Sequence, residues 1–548
     1  MAGDCGELCV RRDVVAAWPP PQPAIVPSTS IQASAAGSLG HERQRLAFCP
    51  SIATGQRLAN PRTDRPTAMT PTPEHPDGLT TQERGRPRPG SKATLGWFAM
   101  ALLILGSVGD LGSAPATAVF GLASVVLYVV PAIVFLVPAA LVSAELASGW
   151  KGGIYNWVSE GISPGMGFAA VWCQFAQTTF YYPAVLAYVA STLAYVFAPG
   201  LAHSGLYTTI VIIVLFWGVV LVSGRGVVAA DKLASWGILI GTLIPGAVLV
   251  VLGAIYLAQG NHSAAPLNAH HVLPPWHGLT SIVLVVNGFF TYAGVEVNAV
   301  HVDGLRDAPR EFPKAVLVAV VLILLVFILP TLAISVAVPA AHISLTAGVM
   351  QAFRSLLKHF GLGFVEPIIG VGLVIASLSG LLDWLTGPST GLTRIGRERG
   401  YLPRYFQRVN ANGTPVRVVA VQGIVITMIG LLYALVPTVS RAYWVFAALA
   451  TEVYLIMYVL MFVAAARLRR HQPGHQRGYR APALLTICVV GTVASVAASI
   501  VGLLPPSQLG RVSVPAYAVA LFGGVLVVGV LPPLLLYRFR QANWREPE

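Results

Sequence analysis

Four carboxylates stand inside stretches that are otherwise apolar: Asp110, Glu296, Asp383 and Glu452. Placing a carboxylate at the centre of a bilayer-spanning helix costs about 3 kcal/mol or more, and no Lys or Arg lies within those stretches to pair with it. Surroundings of low dielectric favour the neutral form, so each is a candidate proton carrier or partner for a cationic amine. The competing reading is a protonated acid hydrogen-bonded to a neighbouring helix. For Glu452 that reading is favoured, because at about 100° per residue it points well away from Tyr454 and Tyr458. Asp110, Glu296 and Asp383 are the proton-linked candidates.

Two of these acids have glycines beside them. Asp110 lies in GSVGDLGSAP, with Gly106, Gly109 and Gly112 followed by Pro115, and Glu296 lies in TYAGVEVN after Tyr292 and Gly294. Glycine clusters inside a span are where a helix can unwind, and unwound backbone at membrane depth is tolerated only where it lines a cavity. Both breaks are therefore candidate substrate sites, with half-helix amino termini facing a carboxylate and freed carbonyls facing an ammonium.

The elements that must position these residues follow from composition. The chain has 548 residues, of which 55% are hydrophobic and 10% charged, and its mean hydropathy is +0.70. Such a chain is an all-α polytopic membrane protein. Twelve apolar segments are long enough to cross a hydrocarbon core of about 30 Å as helices: 95–120, 121–144, 166–198, 206–223, 233–258, 279–301, 314–338, 365–387, 416–436, 442–466, 482–504 and 514–537. The Asp110 and Glu296 breaks fall in the first and sixth, the leading members of two consecutive groups of five. An inverted five-plus-five repeat predicts this spacing.

Lys and Arg set the orientation: the even-numbered connections and the carboxyl tail carry 20 of them, the odd-numbered connections 4. Both termini are thus expected in the cytoplasm. The net charge of +13 is mostly topology, and nucleic-acid binding is not expected, since no basic helix with interleaved aromatics stands apart from the spans. Residues 1–94, rich in Pro, Arg, Ser and Gly, read either as a disordered cytoplasmic tail or as sequence upstream of a true start at Met69. Cys5, Cys9 and Cys49 fall there, while Cys173 and Cys488 lie in spans, so no disulfide framework is visible. The preference for Arg over Lys, 30 against 5, with abundant Ala, Val and Gly, suggests a GC-rich bacterial genome and hence a bacterial plasma membrane.

Here the residues also carry a family likeness. YAGVEVNAVHVDGLRDAPREFPKA, the LGWFAM opening of the first span, GFAAVWCQFAQTTFYYPAVLAYVASTLAYVF, SLTAGVMQAF and WLTGPSTGLTRIGRERGYLPRYFQRVNANGTPV together resemble the bacterial glutamate/γ-aminobutyrate antiporter group of the amino acid–polyamine–organocation superfamily, over about 95–537. The resemblance implies a LeuT-like five-plus-five fold with broken helices 1 and 6 plus two carboxyl-terminal helices, and an amino acid as the transported small molecule. It also implies site roles for Gly294, Val295 and Glu296, for Trp384, and for Tyr454 and Tyr458, which share a helix face at i,i+4. Two positions depart from the family pattern, with Gly109 and Gly380 where the antiporters have a tyrosine and a glutamate. Only RFRQANWREPE follows Tyr537, so the family's carboxyl-terminal plug is not expected here.

Other patterns carry less. GISPG (161–165) and GPSTG (387–391) match a hydrolase serine motif without its strand-to-helix elbow. His262, His270, His271 and His277 crowd one connection, as solvated residues, a pH-responsive lid or a metal site. Lys232 reads as a positive-inside anchor or as a cationic substitute for a sodium site. Gly237 and Gly241, spaced G-x-x-x-G, suit close helix packing. The leading expectation is a secondary amino-acid exchanger; a proton symporter or a transporter-like sensor are the alternatives. No enzyme activity and no cofactor are expected.

Overall fold

A computed structural model describes residues 96–108, 111–225, 239–274, 283–297, 301, 305–436, 438–506 and 512–545. The expected tail of 1–94, Gly109, Asp110, Lys232, Gly237 and His277 lie outside the described residues. The described residues all belong to one unit, Pro87–Glu548.

In hydrocarbon every backbone N–H and C=O must be satisfied within the protein, which leaves helices as the answer for a chain this apolar. Among the described residues there are helices and no strand: α1 (Trp97–Val108), α2 (Ala114–Ala118), α3 (Gly121–Gly149), α4 (Ile154–Gly161), α5 (Pro164–Phe197), α6 (Gly205–Ser223), α7 (Gly241–Ala258), α8 (Val286–Tyr292), α9 (Ala308–Ala337), α10 (Gly348–His359), α11 (Gly363–Arg399), α12 (Val416–Leu435), α13 (Val439–His471), α14 (Leu484–Gly502) and α15 (Val514–Arg538). Ten of them are long and apolar enough to cross a membrane singly.

The other two expected spans are the two with glycine breaks. The first is a pair, Trp97–Gly106 and Leu111–Ala118, bent by 48°. Of the sixth, predicted at 279–301, the described part is an apolar helical stretch over Val283–Val297 that loses regular helix after Tyr292. The described residues thus hold ten single spans, the bent first pair and the described part of the sixth.

Two long helices form the centre. In α5 and α13 the apolar windows are 78% buried, against 17% in α15, so the last helix sits at the rim and the third and tenth spans carry the interior. Ser163 caps α5 by accepting the Met166 N–H at 3.4 Å ahead of Pro164, which is the local role of the GISPG serine. The GPSTG serine, Ser389, lies in mid-helix and donates to the Leu385 carbonyl. At Gly241 a side chain would run into Ala376 and the Gly372 carbonyl of α11, so the fifth and eighth spans meet there backbone to backbone. The connections hold two helices that the sequence reading did not separate, α4 and α10.

Candidate functional site

The sixth span breaks in three residues. Tyr292 ends α8, Ala293 is extended (φ −68°, ψ 138°), and Gly294 has φ +108°, a conformation that a side chain at this position would strain. The chain recovers for one turn, with the Val297 N–H on the Gly294 carbonyl at 3.1 Å. Glu296 lies in that turn and is 2% exposed.

No cation meets this carboxylate among the described residues; three neutral donors do. Gln174 Nε2 of α5 donates to Oε1 at 3.1 Å and Tyr454 of α13 donates to the same oxygen at 2.5 Å. Tyr458 donates to Oε2. Because Tyr454 and Tyr458 are one turn apart, their hydroxyls reach the two oxygens of one carboxylate from one helix face. The Tyr458 hydroxyl also accepts the Gly294 N–H at 2.7 Å. One oxygen atom thus joins the tenth span, the backbone at the break and the buried acid.

Rings surround this contact in a closed chain that begins and ends on α8. Phe289 meets Phe135 (5.0 Å between centroids), Phe135 meets Tyr458 edge-on (4.8 Å), and Tyr458 meets Tyr454 (5.2 Å). Tyr454 meets Trp384 edge-on (6.2 Å), Trp384 meets Tyr181 (6.0 Å), and Tyr181 meets Phe290 (5.8 Å). Such contacts fix ring orientation at about 0.5–1.5 kcal/mol each. Phe135, Phe289 and the two tyrosines of α13 are buried, while Phe290, Tyr181 and Trp384 are half-exposed, so the chain has one accessible flank.

The half of the first span that follows its break lies against the sixth. Asn287 Nδ2 donates to the Ser113 carbonyl at 3.0 Å and to Thr117 Oγ1 at 3.3 Å, and Thr291 Oγ1 donates to Ser113 Oγ at 3.2 Å. Asn287 and Thr291 are again one turn apart, so one polar face of α8 holds α2. Gly112 lies in the 3₁₀ turn that opens this half, its carbonyl accepting from Tyr443 of α13 at 3.4 Å. Gly106 is half-buried in α1.

The expected site residues are distributed as follows. Gly294, Glu296, Tyr454, Tyr458 and Trp384 are brought together. Tyr292 turns the other way, its hydroxyl donating to the Tyr128 carbonyl at 3.0 Å and its ring beside Tyr128 and Phe327. Asp383 is exposed, next in sequence to Trp384. Glu452 faces Gly502 of α14, with Oε1 unpartnered, away from the tyrosine pair. Among the described residues no group of His, Cys, Asp or Glu could hold a metal ion. Sequence reasoning passed over Gln174 and Tyr181, both in α5.

It also left out a further buried acid, Glu145. The second span runs to Gly149 rather than 144, which takes Glu145 into it. Glu145 meets Arg469 at 2.5 Å and Arg477 at 2.7 Å, and Oε2 accepts the Ala481 N–H at 2.7 Å. Just beyond, Ser148 Oγ exchanges bonds with the Tyr479 carbonyl and N–H at 3.3 and 3.1 Å. The connection after α13 is thereby fastened to the end of α3. Nearby, burial and the Glu145 charge push the Tyr479 hydroxyl up to about 12.

A bundle of spanning helices, one of them broken beside a buried acid, defines a polytopic membrane transporter rather than an enzyme. The amino acid permease family model matches residues 95–529, and the chain belongs to that family. It is 32% identical over 81% of its length to an uncharacterized transporter of Legionella pneumophila, covering 96% of that protein. It is 28% identical to a glutamate/γ-aminobutyrate antiporter of Lactococcus lactis, over 73% of this chain and 82% of the other. A probable agmatine/putrescine antiporter of the same species is 21% identical, over 77% and 90% respectively.

Proposed function

We propose that the protein exchanges small amino acids of the glutamate and γ-aminobutyrate type across a bacterial plasma membrane, with both termini cytoplasmic. Substrate sits between the breaks of the first and sixth spans, on the flank of Phe290, Tyr181 and Trp384, and Glu296 links its proton state to the break. One observation carries this reading: the Tyr458 hydroxyl that donates to Glu296 also accepts from Gly294.

A hydroxyl has one proton to give. While Glu296 is ionised, its oxygens accept from Tyr454, Tyr458 and Gln174 together. Once protonated, it must itself donate, so one partner has to accept: a tyrosine turns its hydrogen away or the Gln174 amide flips. Either tyrosine can do so, and if it is Tyr458 the bond that holds the Gly294 backbone changes with it. A proton on the acid is thereby expressed as a change at the break, which is what coupling transport to a proton requires.

Counterflow in proteoliposomes tests the reading, with labelled glutamate inside the vesicles' medium and unlabelled γ-aminobutyrate as the driving partner. Glu296→Gln is expected to fold and to exchange with a flattened pH profile. Transport and pH profile both unchanged in that variant would reject the role of Glu296.

A second reading has its own support. No Lys or Arg touches Glu296 among the described residues, an arrangement that suits a cationic substrate, and one relative is named an agmatine/putrescine antiporter. Counterflow driven by putrescine but not by γ-aminobutyrate would favour it. Net uptake without exchange would point instead to a symporter, and binding without flux to a sensor.

A further inference from the structure

Away from the substrate region, a cleft of 380 Å³ opens between the end of α3, the beginning of α9 and the connection after α13. We propose that it binds one anionic phospholipid, with the headgroup at Arg480 and an acyl chain along Leu141, Val137, Leu317 and Val320.

The shape argues for a chain molecule. On α9 the walls run from Pro309 to Val320, eleven residues or about 16 Å of helix, close to the depth of one leaflet at about 15 Å. α3 and α9 pass each other in opposite directions through the bilayer. Leu141 is one turn from Glu145 at the end of α3, while Val137 is a turn deeper. Apolar wall therefore continues inward from a polar mouth, the order in which a phospholipid presents its parts.

Charge argues for an anion. Arg480 is exposed at the mouth and has no carboxylate partner among the described residues. Asp307 is taken up by Arg310 at 3.7 Å, and Glu311 lies on another face of α9. The wall also holds Tyr479, buried with its hydroxyl unpartnered. The cleft is built in advance, because Glu145 and Ser148 pin Tyr479 and Ala481 to α3, and Ala483 closes the connection at φ +45°. A short connection held this way does not collapse into the space.

The test is native mass spectrometry of the full-length protein, purified from membranes and incubated with palmitoyl-oleoyl phosphatidylglycerol or the corresponding phosphatidylcholine. One phosphatidylglycerol should be retained in preference to phosphatidylcholine. Arg480→Gln should lower its retention about fivefold, the worth of one cation beside anionic lipid. Leu317→Trp, at a position 67% exposed, should block the cleft and lower it at least as far without loss of the monodisperse peak. Arg404→Gln, an exposed arginine on a different connection, should leave it unchanged. Equal retention of the two lipids, full retention in both cleft variants, or an equal loss with Arg404→Gln would each overturn the site.

Discussion

Replacing Tyr458 with Phe removes one oxygen atom and keeps the ring contacts with Phe135 and Tyr454. That oxygen serves two groups. The Gly294 N–H, donated to it at 2.7 Å, is left in a buried site without an acceptor, a loss of about 1–3 kcal/mol. Glu296 loses its donor on Oε2, and a hydrogen bond to a charged group contributes about 1.5–3 kcal/mol. The two effects share one atom and do not add in full, so the expected loss is about 3–4 kcal/mol. Tyr454→Phe offers the contrast: it removes a single bond to Oε1, an oxygen that keeps Gln174 at 3.1 Å, and leaves the Gly294 N–H served. Its expected cost is about 1.5–2 kcal/mol. Where the loss falls on the transport-competent arrangement, exchange in proteoliposomes should drop roughly 100-fold or more for Tyr458→Phe and roughly tenfold for Tyr454→Phe, at about 1.4 kcal/mol per decade. A Glu296→Gln background should shrink the Tyr458 effect, because the charged acceptor is gone while the Gly294 N–H is still orphaned. Equal losses in the two Phe variants, or a larger one for Tyr454→Phe, would refute the double duty of the Tyr458 oxygen.

Two other perturbations follow from the packing. Glu145→Gln strips Arg469 and Arg477 of their shared counter-ion, and with the Arg477 side chain 1% exposed the expected cost is about 3–5 kcal/mol; fluorescence-detected size exclusion should show a collapse in folded yield, partly restored by adding Arg477→Gln. Gly241→Ala should lower the melting temperature by colliding with Ala376, and Gly241→Ala with Ala376→Gly should recover part of it, since the Gly372 carbonyl is still 2.9 Å from the added Cβ; no recovery at all in the paired change would place the strain elsewhere.

How much of this could be read in the sequence depends on what kind of signal each residue leaves. Apolar length marks the spans because the bilayer demands it, and Gly294 marks the break because no other residue takes its backbone angle cheaply. Tyr454 and Tyr458 declare a common face by their spacing. Gln174 and Tyr181 leave no such mark: α5 is buried on nearly every side, so hydrophobic periodicity cannot say which side chains meet the break. Tyr292 shows the same limit from the other direction. Thr291 faces Ser113, and one residue later the helix has turned by about 100°, which carries Tyr292 into the core beside Tyr128 and Phe327. Glu145 was hidden by a span boundary set one residue short of it, and its partners come from more than three hundred residues further along the chain.

Glu145 and Glu296 also differ in a way that bears on which of them can take part in a transport cycle. Glu145 is held by two guanidinium groups and a backbone N–H, and releasing it would leave charges stranded at a cost of several kcal/mol. It suits a fixed joint between the second span and the connection after the tenth. Glu296 is held only by hydroxyl and amide donors, each able to turn away at about the cost of one hydrogen bond. A carboxylate with neutral partners can gain and lose a proton without leaving a cation exposed in the interior, whereas one clamped by arginines cannot. The proposed proton link therefore falls on Glu296 and not on Glu145, although both are almost wholly buried. By the same comparison, introducing a lysine or arginine beside Glu296 should arrest exchange even if the protein folds.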